Sequence, residues 1–481
     1  MDSQDKAIRK VTGEALARAS GAELIKGNRI RLLKDAAENY PAWIQAIESA
    51  RKWIHFEMYI LHEDAAGRQF GELLEAKARQ GVAVRVIYDW VGSIGSTSRG
   101  FYRRLAKSGV EVRCFNRFHL ESPFGWLARD HRKLITVDGR IAYVSGLCVG
   151  HLWAGDAGRN IAPWRDTGVE IEGPALTGIE ESFADSWNSI GNPLPREEIP
   201  PLESLERAGN VSLRIVASSP NVSGIYRVDQ FIASLARRSI WIADAYFIGT
   251  GAYIQALQAA ARSGIDVRIL IPGANDVPVV RALSRAGLRP LLEAGVRVFE
   301  WDGSMMHAKT AVTDGYWSRV GSTNLNVASW LGNRELDVIV EDEEFGRQME
   351  EIYEQDLSNS TEIVLSRTWS RTTPVAVKAA PAGSKRSGGS GRAAAGFMRL
   401  GLSLGAAVTN RRKLGRAEAV LMCWGAALLV MVAVIAAKWP KAIALPLAVL
   451  CCWVAVTLVV KAFKVRDRRD RKEPLGREPP G

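Results

Sequence analysis

Cysteine is scarce in this chain, and its spacing excludes two kinds of site. Five cysteines occur among 481 residues, at positions 114, 148, 423, 451 and 452, and none of them forms a C-x-x-C pair. This pattern indicates neither a disulfide framework nor a zinc-ligand set, so reduced thiols in a cytosol-facing protein are expected. The first ten residues, MDSQDKAIRK, lack the apolar stretch of a signal peptide, and none is predicted.

An excess of basic charge is also missing from most of the chain. The formal net charge is +11, but residues 367–481 carry 21 Lys/Arg against 5 Asp/Glu, and the preceding 366 residues carry 42 against 47. Binding to a nucleic-acid backbone needs Lys and Arg on the domain that binds it, so no nucleic-acid partner is predicted. The basic tail instead favours an anionic membrane.

Two long apolar runs lie in the tail, at residues 419–437 and 442–460. Each has 19 residues, close to the roughly 20 that a helix needs to span a bilayer. Only four residues separate them, which predicts a helical hairpin with both ends on one side. Lys and Arg cluster outside both runs, so the positive-inside rule places the ends and the N-terminal region in the cytoplasm. The alternative is a pair of buried core helices.

The remaining tail is polar or weakly apolar. Residues 367–392 are rich in Ser, Gly, Pro and Lys/Arg and are interpreted as a linker. Residues 393–410 fit an interfacial helix or a flexible apolar spacer equally well. The predicted division is a first domain at 1–200, a second domain at 201–366, a basic linker at 367–416, a transmembrane hairpin at 417–460 and a basic cytoplasmic tail at 461–481.

Residues 30–366 contain an internal repeat. AWIQAIESARKWIHFEMYI and GRQFGELLEAKARQGVAVRVIYD in the first copy correspond to QFIASLARRSIWIADAYFI and GAYIQALQAAARSGIDVRILIPG in the second. Each copy alternates a helical apolar pattern with short runs rich in Val, Ile and aromatic residues. The predicted fold class is α/β: two repeats with pseudo-two-fold symmetry, each a mixed, mostly parallel sheet flanked by helices, with a site at their join.

Both copies end in the pattern H-x-K-x4-D. The pattern is formed by His131, Lys133 and Asp138 in the first copy and by His307, Lys309 and Asp314 in the second. On a strand, residues two apart point to the same face. The pairing puts a nucleophile or acid beside a fixed cation, which suits phosphate chemistry, because imidazole can attack phosphorus or transfer a proton near neutral pH. A second imidazole can serve the leaving group as general acid.

Other interpretations of these residues are weaker. A single H-x-K is consistent with a surface histidine, but two copies with identical spacing are not easily explained that way. A metal at this position is disfavoured, since the neighbouring lysine repels a cation. The other histidines, His55, His62, His119 and His151, have no duplicated pattern and are interpreted as surface or packing residues.

The duplicated motif resembles the signature of the phospholipase D superfamily. The flanking stretches resemble the bacterial cardiolipin synthases more narrowly. They include IHFEMYIL, YDWVGS, DHRKLITVDGRIAYVSGL, WRDTGVEIEGPAL and MHAKTAVTDGYWSRVGSTNLNVASWLGNRELDVIVED. The resemblance covers roughly residues 28–366.

The resemblance implies a ping-pong phosphatidyl transfer without metal or cofactor. One histidine attacks the phosphodiester of phosphatidylglycerol, the other protonates the departing glycerol, and a second phosphatidylglycerol then attacks the phosphatidyl-histidine. Asp138 and Asp314 are expected to orient backbone or a histidine rather than to react. The predicted phosphate-binding residues are Lys133, Lys309, Ser322 and Asn324, and the predicted supporting residues are Glu57, Asp244 and Glu335.

Two departures from the family pattern leave alternatives open. Cys148 stands where relatives usually carry Asn, and Ser145 where they carry Gly, so the first half of the phosphate clamp lacks an amide donor. A phospholipase D that uses water as acceptor fits the same motifs. A nuclease and an inactive lipid-binding scaffold are weaker alternatives. The sequence does not predict an oligomeric state.

Overall fold

A computed structural model describes residues 3–117, 128–220, 222, 224–276 and 278–365, with scattered positions between 430 and 456. By its internal contacts the chain divides into two compact units, residues 1–116 with 128–395, and residues 117–127 with 396–481. The first unit contains both sequence repeats. Of the second, residue 117 and scattered positions between 430 and 456 are described. The finer division at residue 200 stays a prediction.

Strands and helices alternate through the described part of the first unit. The strands are β1 Ile25–Lys34, β2 Trp53–Met58, β3 Ala83–Asp89, β4 Glu111–Phe115, β5 Arg129–Asp130, β6 Lys133–Val137, β7 Ile141–Ser145, β8 Thr167–Glu172, β9 Val211–Ser218, β10 Ser239–Asp244, β11 Asp266–Pro272, β12 Arg297–Trp301, β13 Lys309–Thr313, β14 Trp317–Gly321, β15 Asn333–Glu341 and β16 Ser360–Ile363. The helices are α1 Ser3–Ser20, α2 Asp35–Ser49, α3 Ala65–Arg79, α4 Trp90–Ser93, α5 Arg99–Lys107, α6 His151–Ala154, α7 Leu176–Ser189, α8 Gly224–Leu235, α9 Gly251–Arg262, α10 Pro278–Glu293, α11 Val327–Leu331 and α12 Glu343–Leu357.

The strands form one 16-stranded sheet within the described residues, in the order β16-β12-β11-β10-β13-β14-β15-β9-β1-β8-β7-β6-β2-β3-β4, with β5 pairing β15 off this path. The order reads the same outward from the central β9–β1 pair: β1-β8-β7-β6-β2-β3-β4 on one side matches β9-β15-β14-β13-β10-β11-β12 on the other. The repeat in the sequence is therefore a repeat in topology, as predicted.

The expectation of a mostly parallel sheet is wrong, and the sheet is mixed. Along the main path only β2-β3-β4 and β10-β11-β12 run parallel. The other neighbours are antiparallel, including β6 with β7 and β13 with β14. For β6–β7 and β13–β14 the reason lies in the connecting turns, because Asp138, Gly139, Asp314 and Gly315 all have positive φ. This is the geometry of a tight hairpin turn, which returns the chain antiparallel to itself.

The core has three parts that follow the repeats. One apolar cluster lies between the first repeat's strands and α2, α3 and α5, and another between the second repeat's strands and α8, α9 and α10. The third cluster combines strands of both repeats with α7 and α12. All six residues of β2 and all six of β10 are buried, which explains their nearly continuous apolar sequences. Helices on both faces thus hold the sheet that carries the motifs.

The tail prediction falls largely outside the described residues. Among the positions that are described, no helix is both long and apolar enough to cross a membrane. The hairpin at 417–460 and the possible interfacial helix at 393–410 stay predictions.

Candidate active site

Each motif histidine lies just before a central strand and is held by the opposite repeat. His131 connects β5 to β6, and its backbone N–H donates to the carbonyl of Arg334, at 2.9 Å. His307 precedes β13, and its N–H donates to the carbonyl of Arg165, at 2.7 Å. Both side chains are buried, at 8 and 5 % exposure. The site is therefore assembled from both repeats at once.

Both imidazoles contact a carboxylate of the opposite repeat through Nδ1. The His131 Nδ1 lies 2.8 Å from Oε2 of Glu335, and the His307 Nδ1 lies 2.7 Å from Oδ2 of Asp166. Such a contact fixes the ring orientation and places the Nδ1 proton on the carboxylate side, so that Nε2 is free to react. Glu335 was predicted as a supporting residue, whereas Asp166 was missed.

The signal for Asp166 was present in the sequence. The stretch WRDTGVEIE, whose last six residues form β8, occupies the place in the first repeat that NRELDVIVE of β15 occupies in the second. Arg165-Asp166 therefore corresponds to Arg334-Glu335. The two acids differ in type, so this pair is less conspicuous than the identical H-x-K pairs.

The two lysines converge on the histidines. Lys133 and Lys309 are each 1 % exposed. The Lys133 Nζ donates to the carbonyl of His131 at 2.5 Å, and the Lys309 Nζ lies 3.1 Å from Nδ1 of His307. The ammonium groups also lie over the rings of Tyr59 and Tyr246, 5.2 and 5.8 Å from their centroids. Such buried cations can bind an anionic phosphate.

The pKa values show that both lysines act on both histidines. Burial lowers the pKa of His131 well below its ordinary value, and Lys133 and Lys309 add to the effect. Burial and Lys309, with a smaller effect of Lys133, lower the pKa of His307 to about 4. Burial also lowers the pKa of Lys309 to about 8. Both imidazoles are therefore neutral at pH 7 in the free site, as a nucleophile must be.

The supporting carboxylates differ in charge. Burial alone would raise the pKa of Asp166, but His307 and Lys309 outweigh it and hold that pKa below its ordinary value. Burial raises the pKa of Glu335 to about 7, against the opposing effect of Lys133. Ser322 and Asn333 also donate to Glu335, at 2.6 and 3.1 Å. Asp166 is thus ionised at neutral pH, whereas Glu335 titrates near neutrality.

The motif aspartates lie away from the histidines and hold backbone. The Asp138 carboxylate accepts from the N–H groups of residues 51, 52 and 53, at 2.7 to 2.9 Å. The Asp314 carboxylate accepts from those of residues 237, 238 and 239 in the same way. In each motif the lysine begins a five-residue strand and the aspartate directly follows the end of that strand. The aspartate therefore lies roughly 16 Å from the lysine along the chain. Each aspartate therefore ties a hairpin turn to the start of the neighbouring strand.

The Nδ1 contacts of the two histidines are made by Glu335 and Asp166, not by the predicted Glu57 and Asp244. Glu57 is fully buried, and burial together with the neighbouring Asp130 raises its pKa well above the ordinary value. Asp244 accepts from the N–H groups of Tyr246 and Leu325, at 3.0 and 2.8 Å. Burial raises the Asp244 pKa to about 6. In the sheet Asp244 lies opposite Lys309 of β13, whereas Met58 lies opposite Lys133 of β6, so Glu57 and Asp244 are not at equivalent repeat positions.

The predicted phosphate-binding hydroxyl is engaged elsewhere. The Ser322 Oγ donates to Glu335 and accepts from the Leu336 N–H, at 2.6 and 2.9 Å. Its counterpart in the first repeat is Gly146, where a Cβ would lie 2.2 Å from Oδ1 of Asp166. In the second repeat the Ser322 hydroxyl therefore hydrogen-bonds to Glu335, whereas in the first repeat Gly146 leaves room for the Asp166 carboxylate.

Asn324 and Cys148 occupy equivalent places after β14 and β7. Asn324 is 5 % exposed, and its Oδ1 has no hydrogen-bond partner among the described residues. Cys148 is 1 % exposed, and burial raises the pKa of its thiol although Lys133 and Lys309 oppose this. A neutral thiol therefore stands where the other repeat offers an amide.

Aromatic rings complete the walls and were not predicted as site residues. Tyr59 stands edge-on to His131, with ring centroids 4.9 Å apart. Trp153 and Trp164 each lie 5.4 Å from the His307 ring. The Trp153 indole N–H also donates to Asp166 at 3.1 Å. The His307 side of the site is thus the more aromatic one.

Comparison with known proteins identifies the family of the chain. The family model described as "Cardiolipin synthase, PLD-like domain" matches residues 43–149 and 230–357, one match in each repeat. Cardiolipin synthase A of Pseudomonas aeruginosa is 34 % identical over 371 residues, covering 74 % of this chain and 73 % of the relative. The chain belongs to the cardiolipin synthase family. A cardiolipin synthase of Listeria monocytogenes is 31 % identical over 349 residues, covering 71 % of this chain and 72 % of the relative.

A solved structure supports the fold at greater distance. The phosphatidylserine synthase of Haemophilus influenzae Rd KW20 aligns with a TM-score of 0.59 at 16 % identity, covering 76 % of this chain and 92 % of that one. The resemblance to cardiolipin synthases predicted from the motifs is confirmed by the family match and by the two bacterial relatives. Both family matches include a motif histidine, His131 in the first and His307 in the second.

Proposed function

We propose that the protein joins two phosphatidylglycerol molecules into cardiolipin and glycerol through a phosphatidyl-histidine intermediate. The observation that carries the proposal is the pair of buried, neutral imidazoles, each bonded through Nδ1 to a carboxylate of the opposite repeat. Two buried lysines beside them supply positive charge for one phosphodiester. Membership of the cardiolipin synthase family supports the choice of lipid substrate.

The first step forms a bond between Nε2 of one histidine and phosphorus, and breaks the bond from phosphorus to the glycerol headgroup. The glycerol oxygen needs a proton from the second histidine. In the free site burial, together with Lys133 and Lys309, lowers the pKa of both rings. A bound phosphodiester anion offsets these charges and so favours protonation of one imidazole. Substrate binding thereby prepares the general acid.

The second step reverses these roles. The hydroxyl of a second phosphatidylglycerol gives its proton to the histidine that acted as acid, and its oxygen attacks phosphorus. The phosphorus–nitrogen bond breaks and cardiolipin is released. Lys133 and Lys309 hold the phosphoryl oxygens throughout, and Asn324 adds an amide donor on one side. Asp166 and Glu335 stabilise whichever imidazole carries the extra proton.

Location at the membrane follows from the lipid substrate and from the tail. The two apolar runs at 419–437 and 442–460 are proposed to insert as a hairpin, with the catalytic region on the cytoplasmic side. This keeps the site beside an anionic bilayer.

The acceptor decides between a synthase and a hydrolase. Membranes that contain the full chain are incubated with phosphatidylglycerol labelled in its acyl chains and headgroup. Cardiolipin with free glycerol in a 1:1 ratio supports the proposal, whereas phosphatidic acid with glycerol indicates that water is the acceptor. His131→Ala and His307→Ala should each abolish multiple turnover, because paired catalytic groups act as a unit. Near-normal turnover in either variant would contradict the two-histidine mechanism.

A further inference from the structure

A second cluster of ligating side chains lies beside the catalytic pair. Nδ1 of His151 is 2.7 Å from Oδ2 of Asp64, and Nδ1 of His62 is 3.6 Å from the same oxygen. The three ligating atoms all lie within 4.8 Å of one another. The catalytic residues described above do not include any of the three.

The fold brings the three side chains together at the ends of two strands. His62 and Asp64 lie between β2 and α3, and His151 begins α6 shortly after β7. The N–H of His62 donates to the carbonyl of Val149 at 2.9 Å, which fixes one segment against the other. Asp64 accepts from the N–H groups of Gly67 and His151, at 3.0 and 2.6 Å. The backbone therefore holds all three residues in place.

The surroundings of the His62 Nδ1 atom fit a metal ligand. Its Nδ1 is buried and has no hydrogen-bond partner among the described residues. The 3.6 Å to Asp64 is too long for a hydrogen bond. It is close to the roughly 3.3–3.5 Å between two ligand atoms on a tetrahedral ion with bonds of about 2.0–2.1 Å. An unpaired buried nitrogen is costly unless something binds it.

Gly150 allows the ring to take this position. A Cβ there would lie 2.6 Å from Nδ1 of His62. Capping of the helix does not require the cluster, because in the second repeat Thr250 caps α9 with its hydroxyl. Two residues before that cap the second repeat has Ile248, where the first repeat has His62 two residues before Asp64.

We propose that His62, Asp64 and His151 bind one divalent transition-metal ion, with Zn²⁺ as the best fit, and with solvent completing the coordination. Two imidazoles and one carboxylate form a ligand set suited to zinc and its neighbours rather than to Mg²⁺ or Ca²⁺. Binding replaces the proton between His151 and Asp64, so one proton leaves and the 2.7 Å contact opens to ligand spacing.

The position gives such an ion a structural role near the catalytic site. The Trp153 ring lies 6.4 Å from His62 on one side and 5.4 Å from His307 on the other. Trp153 also belongs to the short helix that His151 begins. The metal would join the two segments that carry Tyr59 and Trp153, and would fix these rings beside the two catalytic histidines.

The test is a titration of the full chain, purified in detergent without an affinity tag and freed of metal. Because Cys451 and Cys452 are exposed, accessible thiols are alkylated first. Co²⁺ is then added and its visible absorption recorded, followed by displacement with Zn²⁺. We expect one equivalent of Co²⁺ in a nitrogen and oxygen environment, displaced by Zn²⁺, and a higher melting temperature with the metal.

Four variants identify the ligands. His62→Ala and His151→Ala should each weaken Co²⁺ binding at least about tenfold. Asp64→Asn should do the same, although Asn retains the ability to cap α3. Gly150→Ala keeps every ligand but displaces the His62 ring, and it should weaken binding as well. Glu63→Gln removes a neighbouring carboxylate outside the cluster and should leave binding unchanged.

Two results would overturn the proposal. One is the absence of Co²⁺ and Zn²⁺ uptake by the folded, thiol-blocked protein. The other is uptake that His62→Ala and Gly150→Ala both leave unchanged at unaltered melting temperature. The cluster would then be only a capping contact between two segments. Neither result bears on phosphatidyl transfer, which is measured separately.

Discussion

At the scale of single residues, the two half-sites are similar in plan but differ in charge. Asp166 has a pKa held below its ordinary value, while burial raises the pKa of Glu335 to about 7. Below that pH Glu335 is protonated and neutral, and above it Glu335 is ionised. An ionised partner stabilises an imidazolium on His131, so turnover should rise with pH through about 7.

Glu335→Gln tests this directly. The amide mimics the protonated acid, so turnover at about pH 8 should fall by roughly 10²–10⁴-fold, the range for a lost acid–base contribution. At about pH 6 the wild-type acid is itself about nine-tenths protonated. The ratio of wild-type to Glu335→Gln turnover should therefore be about tenfold smaller than at about pH 8. The rising limb near pH 7 should disappear from the pH profile of kcat/KM, which reports the ionisation of the free enzyme.

Asp166→Asn is the matched comparison. Because the Asp166 pKa is lowered, Asp166 stays ionised across this range, and its loss should reduce kcat/KM at every pH without moving the inflection. If Glu335→Gln keeps the wild-type inflection, the titrating group lies elsewhere.

Residue identities could be predicted from the sequence only where a pattern was duplicated. His131 and His307, with their lysines, stood out because the spacing is identical in both copies. Asp166 did not stand out, since its counterpart is a glutamate. Glu57 and Asp244 were both predicted as supporting residues, but they are not equivalent positions, because in the strand contacts Asp244 lies opposite Lys309 whereas Met58, not Glu57, lies opposite Lys133. Those contacts appear only in the folded chain.

At the scale of elements, the motif aspartates organise hairpins. Asp138 and Asp314 both have φ of 56°, and each is followed by a glycine with positive φ. Asp-Gly between two apolar strands is a strong hairpin signal. The two aspartates were expected to orient backbone or a histidine, and the mostly parallel sheet was expected because helices alternate with short buried strands. The Asp-Gly turn signals, which predict antiparallel pairs, were not used in that expectation.

Asp138→Ala should therefore act on stability. It removes a carboxylate that accepts hydrogen bonds from three backbone N–H groups. The alanine keeps the Cβ at positive φ but has no side-chain hydrogen bonds to offset the cost of that conformation. The free energy of unfolding should fall by roughly 3–4 kcal/mol. Denaturant titration of the detergent-solubilised chain measures it.

Two further variants separate the causes. Asp138→Gly relieves the backbone conformation but still lacks the carboxylate, so it should recover only about 1 kcal/mol of the loss. Glu72→Ala removes an exposed carboxylate and should change stability little. A loss of kcat in Asp138→Ala at unchanged stability would instead give this aspartate a direct role in the reaction.

At the scale of the whole molecule, the two repeats are interlocked. The backbone N–H and the Nδ1 of each motif histidine both bond to the opposite repeat. A site built this way depends on both repeats and on the β9–β1 pairing that joins them. All the site residues discussed lie between positions 57 and 335, well before the basic tail.

A chain that ends at residue 366 tests this separation of tasks. It loses both apolar runs and the segment of net charge +16, but keeps both motifs. Each Lys or Arg near an anionic surface contributes about 1 kcal/mol to binding. We therefore expect the shortened protein to leave the membrane in an alkaline carbonate wash, while the full chain stays.

Catalysis should survive the same truncation. If the tail only concentrates the site near its lipid, the shortened protein should still convert phosphatidylglycerol in mixed micelles, where substrate is supplied in excess. Its kcat should stay close to that of the full chain, while its activity on vesicles falls. A shortened protein that resists the wash would show that the hairpin is not the anchor. A soluble, folded but inert protein would show that the tail contributes to the active site, and that the division at residue 366 is wrong.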